Sequence, residues 1–187
     1  MIIQIRGTSG SGKTTVMRRV IDLISPLSDW EKQFVVGRKQ PESYRFGRTY
    51  VLGHYEATCG GCDNIGSAPN VYQLIQRIME RGLDHRHILC EGLLLSEDTK
   101  WTMELAKEYD VRVVFLTTPV ETCIEQVKQR REAAGNTKEF NVENTSNRVY
   151  VIERARLKLA ANGVACRRCS SDQAATVVMN WLRSDRE

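Results

Sequence analysis

Apolar residues along the chain fall alternately into short β-rich runs and longer stretches with helical spacing. Ile2–Ile5 is a strand-like run, followed by glycines and then a helical pattern over 14–24 with Val16, Val20, Leu23 and Ile24 near one face. Phe34–Val36 and Thr49–Gly53 read as a second and a third strand. Val71–Gly82 carries Leu74, Ile75, Ile78 and Met79 on one side, a helix that Gly82 stops. His87–Cys90 is a strand, 97–109 a helix, the β-branched Val111–Leu116 a strand, and 120–134 a helix closed by Gly135. A basic helix over 148–162, a short strand at 164–166 and a helix over 172–183 complete the pattern. Strand and helix in alternation predict an α/β fold, a mainly parallel sheet flanked by helices. Two segments, about 37–70 and 130–146, read as inserts on that core, and such loops often act as lids.

With no internal repeat and no Gly/Ser linker, residues 1–187 read as one domain. Apolar residues make up 41% and charged residues 27%, which excludes collagen and low-complexity disorder. The net charge of +4 suits a phosphate-bearing partner without demanding one. No stretch approaches the roughly 20 apolar residues of a membrane span, and Met1–Arg6 lacks the form of a secretory leader. A cytoplasmic protein is expected, with its six cysteines reduced.

The strongest chemical signal is Gly7-Thr8-Ser9-Gly10-Ser11-Gly12-Lys13-Thr14, which fits G-x-x-x-x-G-K-[ST] at every position, between a strand and a helix. Glycines there let backbone N–H groups turn inward around a phosphate, and the helix N-terminus adds a positive dipole end. The motif predicts an ATP site over Gly7–Thr15, with Lys13 on the β- and γ-phosphates and the Thr14 hydroxyl on Mg²⁺.

Three clusters extend this chemistry. Arg38 and Lys39, after the second strand, suit a substrate phosphate or a solvated turn. His54, Tyr55 and Glu56 follow the third strand, at the end of an open sheet where ligands bind; Tyr55 would stack on a base and Glu56 would accept a proton or pair with a base edge. In Cys59-Gly60-Gly61-Cys62-Asp63 the glycines predict tight backbone near whatever docks, and Asp63 is a candidate general base. Cys59-x-x-Cys62 and Cys166-x-x-Cys169 would together supply four thiolates to zinc. They lie about 100 residues apart, far from finger spacing, and a strand at Cys166 would face alternate thiols to opposite sides, so independent thiols are the preferred reading.

In element order the chain resembles the P-loop nucleoside and nucleotide kinases: a glycine loop near the N-terminus, a substrate insert after the first helix and a basic lid late in the chain. That resemblance implies a P-loop NTPase fold of the nucleotide-kinase type. It also implies an acid at the end of a neighbouring strand, here Glu91, which orients a Mg²⁺ water or accepts the substrate proton, and lid arginines, here Arg130 and Arg131, that stabilise the transferring phosphoryl group. Arg148, on the next helix, is placed to touch phosphate or DNA, and the other cations of that helix read as a solvated face.

The loop, Gly37-Arg38-Lys39-Gln40-Pro41, Gly53-His54-Tyr55-Glu56, Cys59-Gly60-Gly61-Cys62-Asp63 and Glu91-Gly92 together resemble a group of phage-encoded P-loop kinases that act on 5-hydroxymethyldeoxyuridine in DNA. That likeness implies ATP-dependent phosphorylation of the hydroxymethyl oxygen, with either Asp63 or Glu91 as base. Two alternatives stay open: a kinase of free nucleosides or mononucleotides, and a nucleotide-gated binding or switch protein. A GTPase-type switch would need an N-K-x-D element, which the chain lacks, and an AAA-type motor would need more chain and an arginine-finger partner.

Overall fold

The computed structural model describes residues 1–35, 39–57, 60–80, 87–136 and 140–184. Its sheet has seven strands: β1 (Ile2–Arg6), β2 (Trp30–Gln33), β3 (Ser43–Phe46), β4 (Thr49–Leu52), β5 (His87–Glu91), β6 (Val111–Leu116) and β7 (Ala165–Cys169). The spatial order is β2-β3-β4-β5-β1-β6-β7. The run from β4 to β7 is parallel, as the alternating pattern predicts, while β2 and β3 are antiparallel additions at one edge.

The helices are α1 (Lys13–Ile24), α2 (Ala68–Glu80), α3 (Leu93–Ser96), α4 (Lys100–Leu105), α5 (Val120–Ala133), α6 (Val142–Ala161) and α7 (Ser171–Ser184). One core layer joins Ile3, Ile5 and Val114 to Val16, Met17 and Val20 of α1 and to Val178 and Met179 of α7. The other joins Ile2, Ile88 and Val113 to Ile75 of α2, Leu105 of α4 and Leu159 of α6. Both faces of β1 are therefore covered, as a central parallel strand requires.

Four expectations are corrected. The second strand is Trp30–Gln33, and Phe34 lies outside it, 56% exposed; Val36 falls outside the described residues. As an edge strand β2 needs no apolar run, so Glu31, Lys32 and Gln33 serve, and the visible run is misleading. Ser43–Phe46, inside the expected insert, forms β3, paired in register with both β2 and β4. The helix expected over 97–109 is shorter, α4 over Lys100–Leu105, with the separate α3 before it; the Asp98 carboxylate starts α4 by accepting the N–H groups of Trp101 (3.3 Å) and Thr102 (3.1 Å). The expected lid is also largely helical: α5 runs to Ala133 and α6 starts at Val142, with Asn141 capping it through the Asn144 N–H at 3.1 Å.

Candidate active site

The loop Gly7–Gly12 leaves the buried end of β1 and enters α1. Gly10 (φ +78) and Gly12 (φ +92) adopt left-handed backbone. A Cβ on Gly10 would lie 2.2 Å from the Cys123 carbonyl oxygen of α5, so the loop's own packing requires glycine there. Lys13 folds its ammonium back across the loop, donating to the carbonyls of Gly7 and Thr8, each at 2.9 Å. The first bond of α1 runs from the Val16 N–H to Gly12 O (2.9 Å), which leaves the amides of Lys13, Thr14 and Thr15 as the free N-terminal donors of the helix. The Thr8 and Ser11 hydroxyls are buried without partners. Inward donors, a helix N-terminus and an ammonium make an anion receptor suited to phosphate.

The opposite wall is acidic. Glu91, the last residue of β5, is 1% exposed and accepts the Thr14 hydroxyl at 2.9 Å. Burial pushes its carboxyl up to about 7, against the pull of Lys13 and the Thr14 hydrogen bond. Burial likewise lowers the Lys13 ammonium, and the Glu91 and Asp63 charges oppose that. Asp63 sits in the short turn Cys62–Asn64 and accepts the N–H groups of Leu93 and Leu94, both at 3.0 Å, so it ties this turn to the start of α3. These groups line one cleft of about 500 Å³, which also receives Ser9, Arg18, Gln126, Gln129 and Arg130. The hydroxyl of Thr14 and the carboxylate of Glu91 meet there as hard oxygen donors, the type Mg²⁺ takes.

Ionising a carboxyl held near 7 costs the folded state. The folded protein binds the Glu91 proton more tightly than the unfolded chain does, so its contribution to stability falls as pH rises from about 4.5 to 7. Glu91→Gln removes this penalty. In metal-free protein its Tm should match the parent at pH 5 and exceed it at pH 8. An equal difference at both pH values would show that the Glu91 charge is not strained.

The predicted residues separate into distinct groups. Arg130 lines the main cleft, whereas Arg131 turns to Asn136 (3.2 Å) and the Phe140 ring (5.9 Å). Lys39 and His54 share a second cleft of about 250 Å³ with Asn64; Arg38 and Cys59 lie outside the described residues. Tyr55 packs in the core, its hydroxyl donating to Leu52 O at 3.0 Å, and Glu56 pairs with Lys32 at 2.5 Å. Both border a third cleft, between α1 and β2–β3. Arg148 pairs with Glu97 at 3.6 Å.

Gly60 lines the main cleft, and both Gly60 and Gly61 press closely on the chain. Added Cβ atoms would meet His54 O and Glu91 Oε1, each at 2.4 Å. Cys166 and Cys169 pack with opposite layers of the sheet.

Sequence reasoning missed Arg18, Gln126 and Gln129. The signal was present in α5: Gln126, Gln129, Arg130 and Ala133 recur at helical spacing and form its cleft-facing stripe. Arg18 follows Thr14 by one turn of α1, and donates to the carbonyls of Tyr55 (3.2 Å) and Ala57.

A family model described as AAA domain matches residues 2–154. A protein of Pseudomonas phage PaMx11 named 5-hmdU DNA kinase is 36% identical over 190 aligned residues, covering 98% of this chain and 97% of that one. Proteins of the same name from Delftia phage PhiW-14 and Pseudomonas phage M6 are 28% and 26% identical, over 79% and 88% of this chain and 59% and 88% of theirs. With a P-loop cleft at the carboxyl end of a parallel sheet and a family match over most of its length, this chain belongs to the AAA domain family.

Proposed function

We propose that this protein transfers the γ-phosphoryl group of ATP to the hydroxymethyl oxygen of 5-hydroxymethyldeoxyuridine in DNA. The observation that carries this reading is a single cleft uniting Lys13, Thr14, Glu91 and Arg130, in a chain 36% identical over almost its whole length to a protein named 5-hmdU DNA kinase.

The loop amides and Lys13 receive the β- and γ-phosphates. Thr14 would hold Mg²⁺ with Glu91 behind it, and the ion would offset charge on the phosphate oxygens. The target base leaves the duplex stack to reach the cleft. Its hydroxyl oxygen bonds to the γ-phosphorus as the bond to the ADP oxygen breaks, and its proton passes to a carboxylate. Glu91 is the better base, because both Asp63 oxygens already accept amide N–H groups. Asp63 then acts as a positioning residue. Lys13 and Arg130 offset the charge spread over the phosphoryl oxygens in flight.

Asp63→Asn should lower kcat by about tenfold, within the range for displaced catalytic groups, with ATP affinity unchanged. A loss as deep as that of Glu91→Gln, with the acid limb of the pH profile removed, would make Asp63 the base instead.

The direct test offers purified protein labelled ATP, Mg²⁺ and a panel of acceptors: duplex DNA containing 5-hydroxymethyldeoxyuridine, unmodified DNA, free nucleosides and mononucleotides. Label is expected on the hydroxymethylated DNA. Label on a free nucleotide alone would move the substrate to the smaller class. Binding of ATP with no transfer would replace the kinase by a nucleotide-gated module.

A further inference from the structure

The net charge of the protein is confined to one structural unit. Residues 142–169, which form α6, its turn and β7, carry six Lys and Arg against two Asp and Glu. Those 28 residues hold the whole excess of +4, and the rest of the chain carries equal numbers of each sign. Within the unit, Glu153 is held by Arg156 at 2.7 Å, and Arg148 is paired with Glu97. Arg154 and Lys158 on α6 and Arg167 and Arg168 on β7 are exposed, and among the described residues no carboxylate lies within ion-pair distance of them.

Their placement is directional. Phe115 pairs in register with Arg168 on one side and Arg6 on the other, so Arg168 stands level with the residue that precedes the phosphate loop. Arg168 also lines a cleft of about 340 Å³ with Gly7, Thr8 and Ser11, behind that loop. The positive strip therefore runs along the exposed side of α6 and the β7 edge and ends at the P-loop.

We propose that the α6–β7 face, through Arg154, Lys158 and Arg168, docks the phosphodiester backbone of the DNA that carries the target base; Arg167, next to Arg168 on the strand, points to the α7 side of the sheet. The assignment rests on the DNA reading above and adds to it the surface that holds the polymer. Unpaired cations over a helix and an adjoining strand edge match the repeating charge of a duplex backbone, and they bind without reading sequence. Tyr150, 72% exposed, and Leu157, 54% exposed, lie on the same side of α6, which also suits an anionic membrane surface. DNA is favoured because Arg168 sits on β7 beside the phosphate loop, away from that apolar stripe.

The test compares the parent protein with Arg154→Gln/Lys158→Gln/Arg168→Gln, and with a control, Arg45→Gln/Lys100→Gln/Lys107→Gln, that loses the same charge elsewhere. Binding to duplex DNA containing 5-hydroxymethyldeoxyuridine is read by anisotropy between about 50 and 200 mM salt, with phosphoryl transfer measured alongside. The first variant should flatten the slope of log K against log salt by about 3. It should raise the DNA KM at least about tenfold, with kcat and ATP affinity unchanged, while the control matches the parent. An unchanged slope and KM in the first variant, with the parent still phosphorylating the DNA, overturns the docking face and leaves the kinase reading intact. Equal weakening by the control overturns it too, because bulk charge would then suffice. Binding to anionic vesicles that only the first variant loses, with DNA binding intact, assigns the face to membrane instead. A parent that phosphorylates no DNA defeats the kinase reading first, and this inference with it.

Discussion

Lys13→Ala should lower phosphoryl transfer by at least about 10²–10³-fold, the scale of a lost preorganised donor to developing charge. Two contributions vanish together. The Lys13 side chain is buried at the cleft wall, where its attraction for a transferring phosphoryl group is less screened than at an exposed surface. It also clasps the carbonyls of Gly7 and Thr8 and so closes the loop. Stability should move the other way or not at all, because burial disfavours the charged form of Lys13 in the folded state. Steady-state kinetics and a thermal melt on the same preparation check both. Near-parental turnover in Lys13→Ala would overturn the assignment of the cleft.

The largest loss of stability is expected one residue before the loop. Arg6 is fully buried on the central strand, donating to Gln4 Oε1 (3.0 and 2.5 Å), to the Asp98 carbonyl and to the Thr102 hydroxyl. Its ring neighbour is Phe115, at 5.8 Å. The Asp98 carboxylate is fixed in turn by the Tyr72 hydroxyl (2.8 Å) and the Thr102 N–H (3.1 Å). Burial pulls the Arg6 guanidinium pKa down, with the Tyr72 and Asp98 charges opposing it. Arg6→Ala opens a cavity and strands several acceptors at once, so a loss of about 3–5 kcal/mol is expected. Arg6→Met should lose less, because it refills the volume and removes the cost of a buried charge. Urea unfolding of the two variants reads the difference; a loss under about 1 kcal/mol for Arg6→Ala would show the site to be solvated or able to collapse.

This network lay outside what the sequence disclosed. Ile2–Ile5 reads as a strand from composition, but nothing local indicates that Gln4 and Arg6 share a buried face with Thr102, whose partners lie almost 100 positions away. Asp98 is similar: it falls in a helical pattern, yet it lies before α4, which its carboxylate starts.

Local periodicity and one motif were enough for the alternating α/β order, the parallel sheet and the phosphate loop. Each depends on contacts within a few residues or on a steric rule that one residue type satisfies, such as glycine at Gly10 and Gly12. The antiparallel edge was illegible because β2 and β3 gain their order from pairing, and an edge strand tolerates Glu31, Lys32 and Gln33. Candidate site residues divided on the same ground. The loop motif pointed to Lys13 and Thr14 and the family resemblance to Glu91, while only packing could bring Arg18, Gln126 and Gln129 to them and draw Tyr55 into the core. The composition likewise fixes a total charge of +4, but it took the fold to lay that charge along one helix and one strand edge, because charge is a sum over the chain and a surface is a matter of which side chains the core leaves outside.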